Sequence, residues 1–241
     1  GGNEARFINH SCVPNCESIL EEDQVFIETV RAIEKGEELG YDYQIGREAC
    51  DAYAVRSHQR AAAAWKNGLF EDELVPVPIP QRKGDPVMFA HDEGYRTDAS
   101  METLGALKPI EAKTIPGAVV TAGNASQQND AAAACLVVAE DKLEELGLEP
   151  IAWFHGWSAA GCDPSRMGIG PVPAVERLFA RTGLSWKDID VVELNEAFAP
   201  QVLAVLKGWG WSDNDSRNDI LNVNGSGISL GHPIGATGAI I

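Results

Sequence analysis

The 241-residue sequence is short of basic residues, of cysteines and of long apolar runs, and each shortage narrows the classes open to it. Only 19 Lys and Arg stand against 36 Asp and Glu, a net charge of −17. Such a surface repels a phosphodiester backbone and an anionic bilayer, so neither nucleic acid nor membrane is expected as a partner. Five cysteines form an odd count at irregular spacing, which predicts reduced thiols in a cytoplasmic compartment rather than a disulfide framework. No apolar stretch approaches membrane-spanning length. Gly1-Gly2-Asn3-Glu4 carries neither an initiator Met nor a basic-then-apolar signal pattern, and Gly238-Ala239-Ile240-Ile241 stops within an apolar run. The expectation is a chain cut at both ends. What remains is ordinary globular material, 44% hydrophobic and 23% charged, long enough to bury a sizeable core.

Acidity is densest at the start: residues 1–45 hold 3 basic and 10 acidic side chains. There the run Gln24 to Val30, the turn Lys35-Gly36 and the run Leu39 to Tyr43 read as strand and loop. From Arg47 to Asn67, Ala52, Val55, Ala62 and Trp65 recur at helical spacing and Gly68 stands where a helix should stop. Six prolines between 75 and 116 mark a loop region with short elements. Beyond it strands and helices alternate: strands at Gly117–Thr121, Ile151–Trp157, Asp190–Leu194 and Ile220–Asn224, with helices at Asn129–Val138, Ala174–Arg181, Ala197–Lys207 and from Pro233. Alternation of this kind predicts an α/β layered domain. The divisions are therefore 1–45, 46–116 and 117–241.

Asn9-His10-Ser11-Cys12-Val13-Pro14-Asn15-Cys16 crowds chemistry-bearing side chains into eight positions. Cys12, Cys16 and His10 could supply part of a zinc site, but no second close pair completes it, so no metal is expected. A polar turn built on Asn and Pro is the plainer reading. Asn9-His10-Ser11-Cys12 followed by Gly36-Glu37-Glu38-Leu39-Gly40-Tyr41-Asp42-Tyr43 resembles the two C-terminal signature motifs of SET-domain lysine methyltransferases. The resemblance implies that Asn9 and His10 lie against S-adenosylmethionine, that Tyr43 lines the lysine channel and that Tyr41 tunes methylation number. It covers residues 2–45 only and lacks the family's upstream cofactor-binding strands, so no methyl transfer is expected.

Four downstream clusters carry more. Thr121-Ala122-Gly123-Asn124-Ala125-Ser126 reads as a strand-to-helix turn, with small residues that admit a ligand or with Ser126 as a helix cap. Met167-Gly168-Ile169-Gly170-Pro171 reads as architecture before a helix. Glu193-Leu194-Asn195-Glu196-Ala197-Phe198 places Asn195 at the C-terminal edge of a strand, where open α/β sheets bind ligands, or simply as an N-cap. Gly231-His232-Pro233 puts His232 ahead of a helix start, a setting that keeps imidazole neutral and able to accept a proton.

Together with Ser57-His58-Gln59-Arg60-Ala61 and Asp92-Glu93, these clusters are similar to the thiolases from about Arg47 to Ile241. The resemblance implies an incomplete thiolase-like α/β layered fold behind a short β-rich SET-like segment, covering the family's second half and part of its loop region. It implies coenzyme A thioesters as substrates, no permanently bound cofactor, and a homo-oligomer in a complete enzyme. His232 matches the histidine that activates the nucleophile and helps form an oxyanion site, and Asn195 the asparagine that holds a water there. Ser126 falls on the pantetheine channel, and Arg82 and Lys83 in the loop meeting the nucleotide end of coenzyme A. The family's nucleophilic cysteine has no counterpart among the five, which implies that the chain alone lacks turnover. A non-catalytic coenzyme A or partner-binding piece, or an artefactual fusion of the two segments, is the reading from another class.

Overall fold

The computed structural model describes residues 9–10, 16–21, 24–29, 32, 40–41, 45–113, 115 and 117–241. The expected β-rich opening is a four-stranded sheet of β1 (Asn9–His10), β2 (Cys16–Glu21), β3 (Gln24–Thr29) and β4 (Gly40–Tyr41) in the order β1-β4-β2-β3. β2 and β3 pair antiparallel over six residues each, whereas β1 pairs parallel to β4 with Asn9 opposite Gly40 and His10 opposite Tyr41. The two motifs singled out in this segment are thus backbone neighbours. Tyr43 lies outside the described residues.

The long helix α1 (Arg47–Lys66) forms where spacing placed it. Its inward stripe of Cys50, Tyr53, Ala54, Ser57, His58, Ala61 and Ala64 keeps the three- and four-residue steps of one helical face. That stripe packs on Leu194, Leu221 and Ile228 and on Val202 and Val205, which are fully buried. The proline-rich loop region contributes a hairpin of β5 (Val77–Ile79) and β6 (Val87–Phe89) and the helix α2 (Met101–Gly105), which Ser100 caps. Five further helices follow: α3 (Leu143–Leu146), α4 (Pro171–Thr182), α5 (Ala199–Gly208), α6 (Gly227–Leu230) and α7 (Thr237–Ile240). α4 starts on Pro171 and ends at Gly183, whose φ of 76° only glycine adopts without cost. No described helix is long and apolar enough to cross a membrane.

Several expected elements are absent as regular structure. Residues 129–138 form no helix: Leu136 and Val137 are 86% and 90% exposed, and an alanine-rich sequence with no face buried does not hold a helix by propensity alone. The expected strands at 117–121 and 151–157 have no ladder, and Trp153 and Phe154 stand exposed. A strand exists only against a neighbour. The 190–194 and 220–224 segments do run side by side, but their pairing is the single parallel bridge Val192–Leu221. The chain after Pro233 makes a turn before α7, so His232 is not at a helix N-terminus.

His58 gives this core a pH dependence. It is 3% exposed and its Nδ1 accepts the Arg96 backbone N–H at 3.2 Å; burial, then the Arg96 charge, lowers its pKa from 6.5 to about 4. The unfolded chain binds a proton at His58 that the folded chain refuses. Stability is therefore complete above about pH 6.5 and falls as pH drops toward 4, by about 3 kcal/mol in all. Urea midpoints measured across that window should slope for the native chain and flatten for His58→Gln.

Candidate active site

Three of the four clusters meet through backbone bonds. Ala125 bridges Phe198, and Ser126 N–H donates to Ala197 O at 2.9 Å, so the 124–127 segment runs along the residues that follow Asn195. Gln127 continues the contact: its carbonyl accepts the His232 N–H at 3.2 Å, and its side chain donates to Gly94 O and Ile228 O. The start of this segment is held by Asn124, whose amide donates to Asp51 Oδ1 and Val119 O at 2.9 Å each; Arg47 in turn pairs with Asp51 at 2.7 Å. The expected caps did not form. Ser126 heads no helix, and α5 begins after Phe198 rather than after Asn195.

Asn195 and His232 are brought together. Asn195 Nδ2 lies 3.3 Å from His232 Nε2, and His232 Nδ1 lies 2.7 Å from Thr237 Oγ1. Thr237 donates its one hydroxyl proton to Pro233 O at 3.0 Å, so its oxygen is left to accept from Nδ1–H. The network therefore assigns the proton to Nδ1 and the lone pair to Nε2, facing the Asn195 amide. An imidazole so oriented can take a proton at Nε2. Asn195 Oδ1 is buried and has no hydrogen-bond partner among the described residues, and a methyl built on Gly227 would meet it at 2.7 Å. Glycine at 227 is what lets the asparagine sit this close.

A buried carboxylate that composition did not reveal lies beneath the pair. Glu196, 1% exposed, accepts from Tyr53 Oη at 2.9 Å, Ser57 Oγ at 2.6 Å, Asn222 Nδ2 at 3.0 Å and Ile228 N at 3.3 Å. Burial first, then the charge of Glu196, pushes the Tyr53 phenol well above its usual range. The signal available in the sequence was a glutamate set among Leu194, Ala197 and Phe198, where a solvated side chain is out of place.

Arg82 and Lys83 stand exposed in the turn between β5 and β6, and the hydrogen-bond network around His232 does not include them. Asn9, His10 and Tyr41 belong to the N-terminal sheet. Among the described residues no group of His, Cys, Asp and Glu could hold a metal. Nor does Cys50, Cys135 or Cys162 offer a thiolate here. Cys50 is fully buried in α1, and burial, then Asp51, pushes its thiol up to about 12, while Cys135 and Cys162 are exposed. A thiol reagent at pH 8 should modify Cys135 and Cys162 within minutes and Cys50 only on unfolding; rapid native labelling of Cys50, read by peptide mass, would contradict this packing.

The thiolase N-terminal domain model matches residues 18–141 and the thiolase C-terminal domain model residues 148–241. The first match begins inside the segment set apart by its SET-like motifs. An acetyl-CoA acetyltransferase of Chromobacterium violaceum is 50% identical over 202 residues, 84% of this chain and 50% of that protein. A probable acetyl-CoA acyltransferase of Staphylococcus aureus is 49% identical over 205 residues, with the same shares. The crystal structure of the Bacillus anthracis acetyl-CoA acetyltransferase superposes with a TM-score of 0.73 at 44% identity, covering 82% of this chain and 48% of that one. Human mitochondrial 3-ketoacyl-CoA thiolase in complex with CoA gives 0.70 at 38% identity, covering 82% and 47%. The chain spans about half the length of the curated relatives it matches.

Proposed function

We propose, since this chain belongs to the thiolase family, that Asn195 and His232 are its contribution to acyl transfer between coenzyme A thioesters. The observation that carries the reading is the 3.3 Å approach of Asn195 Nδ2 to Nε2 of His232. A thiol facing that nitrogen would lose its proton to Nε2. The resulting thiolate attacks the thioester carbonyl, whose oxygen gains negative charge; Nε2–H and the Asn195 amide are the donors placed to stabilise it. Collapse breaks the C–S bond to coenzyme A, and the departing thiolate takes the proton back from Nε2. The attacking thiol is none of Cys50, Cys135 and Cys162, because Cys50 is sealed in the core and the hydrogen-bond network of the site includes neither of the other two. Ser126, beside Ala197, borders the same site and would line the pantetheine arm. Arg82 and Lys83 supply positive charge for the nucleotide phosphates on an otherwise acidic chain.

Joining this chain to the complementary half of a thiolase relative should give thiolysis of acetoacetyl-CoA that depends on His232, whereas the chain alone should give none. Steady turnover by the chain alone, abolished by one Cys→Ser change, would overturn the division of labour. For residues 1–45 a lysine methyltransferase remnant is a second reading, favoured by the parallel pairing of Asn9-His10 with Gly40-Tyr41. It requires S-adenosylmethionine to bind this segment, which equilibrium dialysis with the labelled compound tests.

A further inference from the structure

We propose that Glu196 is the positioning residue of the Asn195–His232 pair, holding the asparagine and the histidine at their working distance from inside the core. The inference rests on reading that pair as the acyl-transfer site. Leu194, Asn195 and Glu196 alternate buried, half-buried and buried, so consecutive side chains leave the segment on opposite sides: Asn195 toward His232, Glu196 into the protein. Inside, the two carboxylate oxygens receive four donors from three separate pieces of chain. Tyr53 and Ser57 come from α1, Asn222 from the turn after the Val192–Leu221 bridge, and the Ile228 N–H from α6.

The α6 contact reaches the histidine. Gly231 N–H donates to Gly227 O at 3.0 Å, closing α6 directly before His232, so the position of Ile228 sets where His232 begins. Ser57 reinforces the link: its hydroxyl donates to Glu196, and its oxygen lies 2.8 Å from Ser229 Oγ on α6. Glu196 is thus bonded to the element leading into His232 while being covalently next to Asn195. Its four donors are neutral, and each comes from a part of the fold that must stay in register. Such a carboxylate costs desolvation that an apolar side chain would avoid, and what it provides in return is the fixed spacing of two groups that must share one substrate oxygen.

The test reads the geometry of the pair without turnover. In the ¹⁵N-labelled chain, with the signal assigned by its loss in His232→Ala, the imidazole of His232 should be dominantly Nδ1–H. Glu196→Gln puts an N–H₂ where a donor already points, and should lower the Nδ1–H to Nε2–H ratio about fivefold, the ratio one ordinary hydrogen bond sets. Ser57→Ala removes one donor of the four and should move the ratio the same way by less; it decides the matter if Glu196→Gln does not fold. Asp92→Asn is the control, a half-buried carboxylate that accepts from Trp65 instead. It should leave the ratio alone. An unchanged ratio in Ser57→Ala and in folded Glu196→Gln, or an equal change in Asp92→Asn, would reduce Glu196 to a stability residue. Failure of the joined protein to turn over would strike the acyl-transfer reading and leave this ratio untouched, so the two can fail separately.

Discussion

His232→Ala lowers thiolysis by the joined protein about 10³-fold or more, with the melting temperature of this half nearly unchanged. The size follows from two losses at one atom: the base that accepts the thiol proton, and the donor that Nε2–H becomes once it has done so. Asn195→Ala removes a donor only, so it costs about 10²–10³-fold. The order of the two is as informative as their size. Thr237→Val deletes the acceptor that holds Nδ1–H and should fall between wild type and His232→Ala, since the base survives in the wrong tautomer for part of the time. Initial rates and melting curves on the same samples check all three. If His232→Ala instead melts early and the folded fraction turns over normally, the histidine only packs its glycine-rich turn.

The largest loss of stability is expected at Asn222. Its side chain does what a neighbouring strand would do for Leu194: Oδ1 accepts Leu194 N–H at 2.7 Å and Nδ2 donates to Leu194 O at 2.8 Å. The same Nδ2 reaches Glu196 and Tyr53, and the residue sits at φ 49°, a left-handed conformation that asparagine tolerates. Asn222→Ala leaves buried backbone groups unpaired and adds left-handed strain, about 3–5 kcal/mol together. That is a large part of the margin of an ordinary domain. Asn222→Gly relieves the strain alone and should recover about 1 kcal/mol of the loss. Urea unfolding of the two variants beside wild type gives both numbers; equal midpoints for alanine and glycine would show that φ contributes nothing here.

Residues whose neighbours along the chain decide their structure were legible. α1, α4 and α5 lay within a few residues of where the sequence placed them, but α1 buries the face of Cys50, Tyr53 and Ala54 rather than that of Ala52, Val55, Ala62 and Trp65, and the residues of α4 are at most half-buried. Asn195 and His232 were legible as candidates, through glycine, asparagine and histidine at segment ends, and the fold sets them 3.3 Å apart. What failed depended on distant partners. Residues 129–138 have the composition of a helix but nothing to bury against, and Trp153 and Phe154 have strand propensity with no strand beside them. Glu196 was missed for a related reason: a glutamate is read as solvent-facing until Tyr53, Ser57 and Asn222, each at least 26 residues away in sequence, are seen to converge on it. Thr237, four residues beyond Pro233, became informative only when its oxygen was found against His232 Nδ1.

The central claim is that Asn195 and His232 face one thioester oxygen, and the carbonyl stretch of carbon-13-labelled acetyl-CoA bound to the joined protein measures it. Two donors on the oxygen weaken the C=O bond, so the isotope-edited band should lie at lower frequency than that of free acetyl-CoA. It should move back toward the free value in Asn195→Ala and again in His232→Ala. A bound carbonyl that absorbs at the free frequency in the wild-type protein, or a lowered band that neither substitution moves, would contradict the account.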